Sequence, residues 1–473
     1  MNVLPGLVVW IAPLVLGSGL WAAATGWPRR RGALAIVLGG GWILGALSCG
    51  LLMRALCATD LSAGLSRVGT AAVAIGAAGW ACAWWLRERT PPPAIASPAT
   101  RGMRIAAVLI LLVLAWRAWL FASDIVAHPT LPWDAWAVWQ AKAKAWVSAG
   151  HASPYVPFAR WILQPQLDLR TASAWSYPEL LPWTMTWFAV DTGWLEPWIN
   201  LAWLGLWAGL LAAHYGQWRV LGAAPIHALA GVYLLASLPL LDAHVALGGY
   251  ADLWVAALMS LGGHAWLRWR AAREHRQLSI IAAAVVLLPM VKLEGAMWSI
   301  VLGVAVVFGA LPTRMRSKRF FVGAAVAAFA IALCATLSLP WVEVARRYVH
   351  GGIVVDGGRV AESLDAFAHA LWGQWNWNLL WFALPAALYW KRARWSQSTA
   401  TRRMVVLVAV PLLLIGGLFA FTTASRYAQS YSAVNRLLLQ LTPMLVSLLV
   451  LALWLPAEDH ATERVPPEAD ASA

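Results

Sequence analysis

The sequence predicts an all-α membrane protein, a polytopic bundle of about thirteen transmembrane helices without a sizeable soluble domain. Of its 473 residues, 61% are hydrophobic and only 12% are charged. The apolar residues form runs of roughly 18 to 23, and a helix of that length crosses about 30 Å of hydrocarbon. Segments such as 324–339 and 404–421 are almost continuously apolar, whereas the strands of a membrane β-barrel alternate between apolar and polar residues.

The predicted spans follow from the apolar runs, and the lysine and arginine clusters between them set the direction of each crossing. Basic residues are concentrated at 29–31, 87–104, 268–276, 314–319 and 391–403. These clusters all fall on the cytoplasmic side if the N-terminus faces outward. The spans are predicted near 4–24, 33–55, 67–87, 104–122, 197–215, 224–241, 248–267, 278–291, 293–311, 319–340, 371–390, 404–422 and 437–454.

Three regions are predicted along the chain. Residues 1–103 hold the first transmembrane helices and a proline-containing linker. Their first apolar stretch precedes its charges, which indicates a retained anchor rather than a cleaved signal peptide. Residues 104–455 hold the remaining spans and a long outer loop, 122–195. Residues 456–473 are polar, which predicts a disordered cytoplasmic tail.

The long outer loop contains a short apolar stretch, 180–190. If this stretch crossed the membrane, every later basic cluster would lie outside, so we predict a helix that lies at the interface or dips partly into the membrane. The loop is also rich in aromatic residues, which predicts interfacial helices within it. Such rings anchor helices at the headgroups or stack on lipid heads and sugar rings, and the sequence leaves both open.

Composition and motifs argue against several function classes. The formal net charge is +14, but the arginines occur in short clusters between apolar runs, so no nucleic-acid partner is predicted. The cysteines Cys49, Cys57, Cys82 and Cys334 have no spacing typical of a metal site or a disulfide framework. No GxxxxGK, GxSxG, HExxH or CxxC motif is present, which argues against nucleotide hydrolysis and zincin chemistry.

Asp134, in LPWDAWAVWQAKAKAW, is the first candidate for chemistry. It lies shortly after a predicted span, with Lys142 and Lys144 about two turns further along. A carboxylate beside cations that hold a phosphate fits a general base. The alternative is that Asp134 caps an interfacial helix and that the lysines extend toward the headgroups.

Further ionisable residues lie at predicted outer helix ends, where charge is expensive to desolvate and indicates function. Tyr177 and Glu179 precede the short apolar stretch in SYPELLPW, where Glu179 also suits the helix dipole. Asp252 lies near the start of a span in GGYADLWVA, where a satisfied buried carboxylate is the alternative. Lys292 and Glu294 occupy a tight turn in VKLEGAMW, where the alternative is a local ion pair.

Two arginines lie in the outer segment before and at the start of the last span. Arg426 is followed by a tyrosine, and Arg436 is the second residue of NRLLLQLTP. Guanidinium groups bind phosphate oxygens in a fixed geometry, so both are candidates for a phosphate clamp. Ordinary anchoring at the membrane interface is the alternative.

The order and placement of these segments resemble the polytopic glycosyltransferases of the GT-C type, which include protein O-mannosyltransferases and the bacterial aminoarabinose transferases acting on lipid A. The resemblance covers residues 104–455 in broad outline and rests on WDAW, YPELLP, GYAD, KLEG and NRLLLQLTP in that order. Residues 1–87 lie outside it. The family expectation is a GT-C-like catalytic region that contains the outer loop 122–195.

The resemblance implies transfer of a sugar from a polyprenyl-phosphate donor to a lipid, glycan or protein acceptor. It places the reaction on the outer face of a bacterial inner membrane. Asp134 matches the first-loop acid and is the implied general base, with Glu179 as a second candidate acid. Many relatives carry two adjacent acids in this loop, or His-Pro or Lys-Pro-Pro after it, whereas this chain has a single Asp134 and then YPE. The second catalytic acid and the use of a divalent metal are therefore left open, and no other cofactor is predicted.

Three alternatives remain at this point. A lipid or polysaccharide transporter also needs spans, aromatic residues and outer charges, but it predicts charged pairs deep within several spans. A lipid-linked oligosaccharide ligase or polymerase would place its essential basic residues in a late outer loop, where Arg346, Arg347 and His350 occur. A structural scaffold has little need for the outer carboxylates.

Overall fold

The computed structural model describes residues 3–87, 100–311 and 356–454. Within these ranges the regular secondary structure is helical, and one isolated parallel bridge joins Tyr155 to Arg170. The predicted span 319–340, the tail 456–473, Cys334 and the basic residues 346, 347 and 350 lie outside the described residues. The prediction of an all-helical protein is confirmed for the part of the chain that the structure describes.

Nineteen α-helices lie within the described ranges, and α5 to α7 belong to the long loop between α4 and α8. They are α1 Val3–Thr25, α2 Ala33–Cys57, α3 Gly64–Trp85, α4 Arg101–Ala127, α5 Ala141–Ala149, α6 Phe158–Leu163, α7 Leu180–Ala189, α8 Glu196–Val220, α9 Pro225–Ala236, α10 Pro239–Ala246, α11 Asp252–Ala272, α12 Leu278–Val291, α13 Gly295–Ala310, α14 Gly357–Ala368, α15 Leu380–Trp390, α16 Arg392–Trp395, α17 Thr399–Phe421, α18 Ser425–Gln429 and α19 Ser432–Trp454.

Several of these helices are suited to a membrane. In the described ranges, six are long and apolar enough to cross a bilayer, namely α1 to α4, α17 and α19. Helices α9 and α10 would add a seventh as one broken span, since they meet at an angle of 68°. The chain is therefore a membrane protein by its helices, and the count of about thirteen crossings stays a prediction.

The first three helices pack through glycines. A Cβ atom at Gly45 would lie 1.8 Å from the carbonyl oxygen of Pro13, and one at Gly17 would lie 1.8 Å from that of Gly41. Only residues without a side chain allow α1 and α2 to approach so closely. Helix α2 continues this packing onto α8, where a Cβ at Gly39 would lie 2.4 Å from a backbone oxygen. Helices α1 to α3 thus belong to the same bundle as the rest of the described chain.

The short apolar stretch of the outer loop forms α7. All ten of its residues are buried, and at 1.5 Å per residue the helix is about 15 Å long, too short to cross a bilayer. The indole N–H of Trp187 donates to the carbonyl oxygen of Val9 at 3.0 Å. Helix α7 is therefore a short helix packed inside the bundle, and its depth relative to the membrane stays a prediction.

Basic residues meet at one end of the bundle, which we call the arginine end. Arg30, after α1, pairs with Glu274, after α11, at 2.5 Å, and Arg268 contacts the same glutamate at 2.6 Å. The position of Gly32 adjoins Arg219 at the end of α8. Because α11 begins at Asp252 and runs toward Arg268, Asp252 lies at the opposite end of the bundle.

The glycine packing predicts a stability effect. Gly45→Val should lower the free energy of unfolding by about 1–3 kcal/mol, because its side chain would overlap the backbone of α1. Unfolding in mixed micelles of a mild detergent and sodium dodecyl sulfate measures this. Gly416→Val in α17 is the matched control, since no atom lies within 4 Å of a Cβ built there. Equal stability of the two variants would contradict close packing of α1 on α2.

Candidate functional site

A glycine turn between α10 and α11 places Asp252. Gly248 and Gly249 have φ angles of 48° and 88°, which favour glycine. A Cβ at Gly249 would lie only 2.5 Å from the Cβ of Ala135. The turn therefore brings the first residue of α11 next to the segment that carries Asp134.

The Asp252 carboxylate is fully buried and accepts hydrogen bonds on both oxygens. Its Oδ1 accepts from Lys292 Nζ and from Gln440 Nε2, each at 2.7 Å. Its Oδ2 accepts from Arg436 Nε at 2.9 Å. A buried carboxylate is tolerated only when it is paired and hydrogen-bonded, and here two cations and an amide meet that need.

Two further carboxylates contact the same cations from the outside. Arg436 donates from Nη1 to Asp134 Oδ2, and Lys292 Nζ lies 3.1 Å from Glu294 Oε1. The side chains of Asp134 and Glu294 are 33% and 38% exposed, whereas that of Asp252 is 0% exposed. Each cation thus has one buried and one accessible carboxylate. We call these five residues the ion network.

The ion network joins residues from four separate segments of the sequence. Asp134 follows α4, Asp252 opens α11, Lys292 and Glu294 lie between α12 and α13, and Arg436 lies in the first turns of α19. The sequence singled out all five individually. The structure brings them together at the end of the bundle opposite to the arginine end.

Three neighbours of the ion network were not among the predicted site residues. The guanidinium carbon of Arg436 lies 5.0 Å from the ring centre of Tyr250, whose ring lies 4.9 Å from that of His244. Gln440 accepts a hydrogen bond from the indole of Trp298. Gln440 follows Arg436 by four residues and so shares its helix face, a spacing that is visible in the sequence.

Lys142 and Lys144 hold the outer loop. Lys142 is buried, and its Nζ donates to the carbonyl oxygens of Trp175 and Tyr177 at 2.9 Å each. It also lies 3.7 Å from Glu179 Oε1, while Lys144 lies 3.7 Å from Glu196 Oε1. Glu179 and the Tyr177 carbonyl therefore belong to a loop contact around Lys142.

The predicted pairing of Asp134 with these two lysines is replaced by the pairing of Asp134 with Arg436. The physical reason lies in the segment that follows Asp134. Residues Ala135–Gln140 form a π-helical stretch before α5. Its wider turn changes the angular relation between position 134 and the lysines from that of a regular α-helix.

Arg426 lies apart from the ion network in the described contacts. It is an exposed residue of the short helix α18. Its Nη2 donates to the Tyr427 hydroxyl at 2.9 Å, and its guanidinium carbon lies 4.7 Å from the centre of the same ring. The two candidates for a phosphate clamp therefore differ, since Arg436 is anchored to carboxylates and Arg426 to a neighbouring tyrosine.

A cleft of about 280 Å³ lies at the same end of the bundle, between the C-terminal ends of α4 and α10. Asn200, one of its lining residues, adjoins the glycine turn before Asp252. The lining of this cleft is a mixture of polar and apolar residues. Its lining is Asp124, Ile125, His128, Pro129, Leu131, Asn200, Ala246 and Leu247.

The side chains available for a metal are limited in the described part of the chain. No three histidine, cysteine, aspartate or glutamate side chains there converge in a metal-binding arrangement. The accessible carboxylates of the ion network face cations instead.

Comparisons with family models, with curated proteins and with solved structures find no match to this chain. The resemblance to GT-C glycosyltransferases thus rests on the five sequence segments and their order. It stays a prediction. What the geometry adds is the contact between the residues of four of those segments.

Burial of the network predicts a strong effect of neutralising its centre. Asp252→Asn should lower the free energy of unfolding by about 3–5 kcal/mol, because Lys292 and Arg436 lose their buried counter-charge. Mixed-micelle unfolding measures the change. Asp365→Asn, at an exposed position of α14, is the control and should remain close to wild type. A small effect of Asp252→Asn would show that the pairing does not support the fold.

The loop contact of Lys142 predicts a pH effect. Burial lowers the pKa of Lys142 to about 8 from its ordinary 10.5, against the opposing charge of Glu179. Between these pH values the unfolded chain holds a proton that the folded chain has released, so stability rises with pH. Wild type should gain up to about 3 kcal/mol relative to Lys142→Met across this window.

Unfolding in mixed micelles at several pH values checks this expectation. Lys144→Met is the matched control, because Lys144 is exposed and two residues away. The difference in free energy of unfolding between Lys144→Met and wild type should stay constant between about pH 8 and pH 10.5. If the difference for Lys142→Met is also constant, the burial of a charged Lys142 is refuted.

Proposed function

We propose that this chain is a membrane glycosyltransferase of the GT-C type, with about thirteen crossings, that uses a polyprenyl-phosphate-linked sugar. The acceptor is a lipid, a glycan or a protein. The observation that carries the proposal is the ion network, in which an accessible carboxylate contacts a guanidinium anchored by a buried carboxylate. A base beside a phosphate-binding cation is what sugar transfer from a lipid phosphate requires.

The arginine end supports an outward-facing site. Lysine and arginine residues accumulate on the cytoplasmic side of membrane proteins. The ion network lies at the opposite end of α11 from Arg268, and so on the outer side under this rule. For a bacterial inner membrane, that side is the periplasm.

The proposed reaction assigns a role to each network residue. The Asp134 carboxylate takes the proton of the acceptor hydroxyl, and the acceptor oxygen forms a bond to the anomeric carbon. The bond between that carbon and the phosphate oxygen breaks, and its electron pair leaves with the polyprenyl phosphate. Arg436 and Lys292 stabilise the phosphate charge. Asp252 is buried, so it acts as a positioning residue that orients both cations.

The outer loop supplies the surroundings of Asp134 in this proposal. Trp133 and Trp136, which flank it, are 66% and 43% exposed, and their rings meet edge to face at 4.5 Å. Exposed indole faces suit a sugar ring or the headgroup region. Glu179 and Tyr177 order the loop through Lys142. No step of the proposed reaction uses a divalent metal.

One observation favours the transporter alternative. Arg117 of α4 pairs with Asp242 of α10, ten residues before the end of α4. That places the pair about 15 Å below the outer end of the helix, and charges within spans are typical of transport pathways. A transport function would require this pair, whereas sugar transfer at the ion network would depend on Asp134.

The enzyme proposal predicts loss of activity without loss of fold. Asp134→Asn should reduce sugar transfer by about 10²–10⁴-fold, because the amide cannot accept the proton. The measurement is transfer of labelled sugar from a polyprenyl-phosphate-sugar pool to membrane acceptors, with folded protein matched. Asp365→Asn is the control at another exposed aspartate of the same end.

The outcomes separate the two functions. Equal transfer by wild type and Asp134→Asn would show that Asp134 is not the base. If neither protein transfers any labelled sugar but wild-type vesicles move lipid-linked sugar across the bilayer, the transporter alternative replaces the enzyme. Asn substitution of Asp242 should then stop that movement.

A further inference from the structure

The ion network has an internal charge imbalance. It contains two cations, Lys292 and Arg436, and three carboxylates, Asp134, Asp252 and Glu294. With all five groups ionised the network carries one net negative charge. A phosphate approaching this arrangement meets two accessible carboxylates that repel it.

The carboxylates differ in what holds them. Asp252 is buried and fixed by three donors on both of its oxygens. Asp134 is one-third exposed and contacts Arg436, and Glu294 is 38% exposed and contacts Lys292. An accessible carboxylate can leave its cation and become hydrated, whereas a buried one cannot without a large cost.

Arg436 is held in place independently of Asp134. Its Nε donates to Asp252, and its guanidinium carbon lies over the ring of Tyr250 at 5.0 Å from the ring centre. If Asp134 moved away, the guanidinium would keep its orientation and present Nη1 to a new ligand. Phosphate oxygens bind such a group well, and a phosphate monoester carries more charge than a carboxylate.

We propose that the ion network binds a phosphate group by exchange, in which the phosphate takes the place of Asp134 on Arg436. In the same way, the phosphate can take the place of Glu294 on Lys292. Asp134 is then an internal stand-in for the ligand until the ligand arrives. The ligand class is a phosphate monoester or diester, and the inference rests on the proposed function only for naming a polyprenyl phosphate as its source.

The exchange couples two events at one site. While Asp134 is paired with Arg436, it is oriented toward the cation and unavailable to an acceptor hydroxyl. Once the phosphate occupies Arg436, the carboxylate is released beside it and can accept a proton. The donor therefore binds before the acceptor is activated.

The test is a titration of the full-length protein in detergent micelles, read by calorimetry. The probes are farnesyl phosphate, inorganic phosphate and farnesol. Asp134→Asn removes the competing charge and should bind farnesyl phosphate about fivefold more tightly than wild type, the size of one exposed charge pair at its upper limit. Farnesol binding should be unchanged.

Two further variants complete the test. Arg436→Gln should lose phosphate binding. In the double variant, adding Asp134→Asn to Arg436→Gln should not tighten the binding of farnesyl phosphate. Since Arg436→Gln removes one of the two cations that pair with the buried Asp252, its folding is checked by mixed-micelle unfolding. Arg436→Lys is the second variant, which keeps the charge and should retain weakened binding. Asp365→Asn is the control for loss of a surface carboxylate and should match wild type.

The outcomes are distinct. If Asp134→Asn binds farnesyl phosphate as wild type does or more weakly, the exchange is overturned. If the variant binds both phosphates more tightly and wild type binds inorganic phosphate as strongly as farnesyl phosphate, the exchange stands and the ligand is free phosphate. If wild type transfers no sugar but Asp134→Asn binds farnesyl phosphate more tightly, the glycosyltransferase proposal is rejected and the exchange stands. If Asp134→Asn loses sugar transfer without binding farnesyl phosphate more tightly, the exchange is rejected and the glycosyltransferase proposal stands.

Discussion

The burial of Asp252 is the constraint on which the outer end of this protein depends. A carboxylate without solvent contact at the start of a helix must be neutralised where it stands. The structure does this with donors from two other regions, Lys292 after α12 and two side chains one turn apart on α19. Two of these donors, Lys292 and Arg436, also hold the accessible carboxylates Glu294 and Asp134. The position of each chemically useful group is therefore set by one group that is inaccessible to a substrate.

Much of the helical framework could be predicted because long apolar runs in a membrane have few other options. The runs 33–55 and 437–454 correspond closely to α2 and α19. Where the prediction shifted, local geometry was responsible. The run 248–267 begins as a helix only at Asp252, because Gly248 and Gly249 adopt positive φ angles in the preceding turn. The number of crossings depends on the orientation of less apolar helices such as α8 and α11 relative to the membrane. Hydropathy alone does not determine that orientation.

The candidate site was predictable as a set of residues but not as an arrangement. Each network residue stands at a helix end, a position that the sequence reveals. The partner of Asp134 was not predictable, because Arg436 lies 302 residues away and the nearer lysines were the simpler choice. Lys142 turns away because backbone carbonyls of the loop, at Trp175 and Tyr177, satisfy its ammonium group. That contact depends on how the loop packs, which could not be predicted from a single sequence.

The wide separation of the network residues along the chain has a consequence for biogenesis. During synthesis, α11 and α12 emerge with Asp252 and Lys292, but Arg436 follows Asp252 by 184 residues. Until the last helix is inserted, the nascent protein holds a carboxylate with only part of its counter-charge near the membrane surface. Insertion of α19 supplies the missing guanidinium and the amide of Gln440 to Asp252. A chain that lacks α19 would leave Asp252 with Lys292 as its only cation among the described residues.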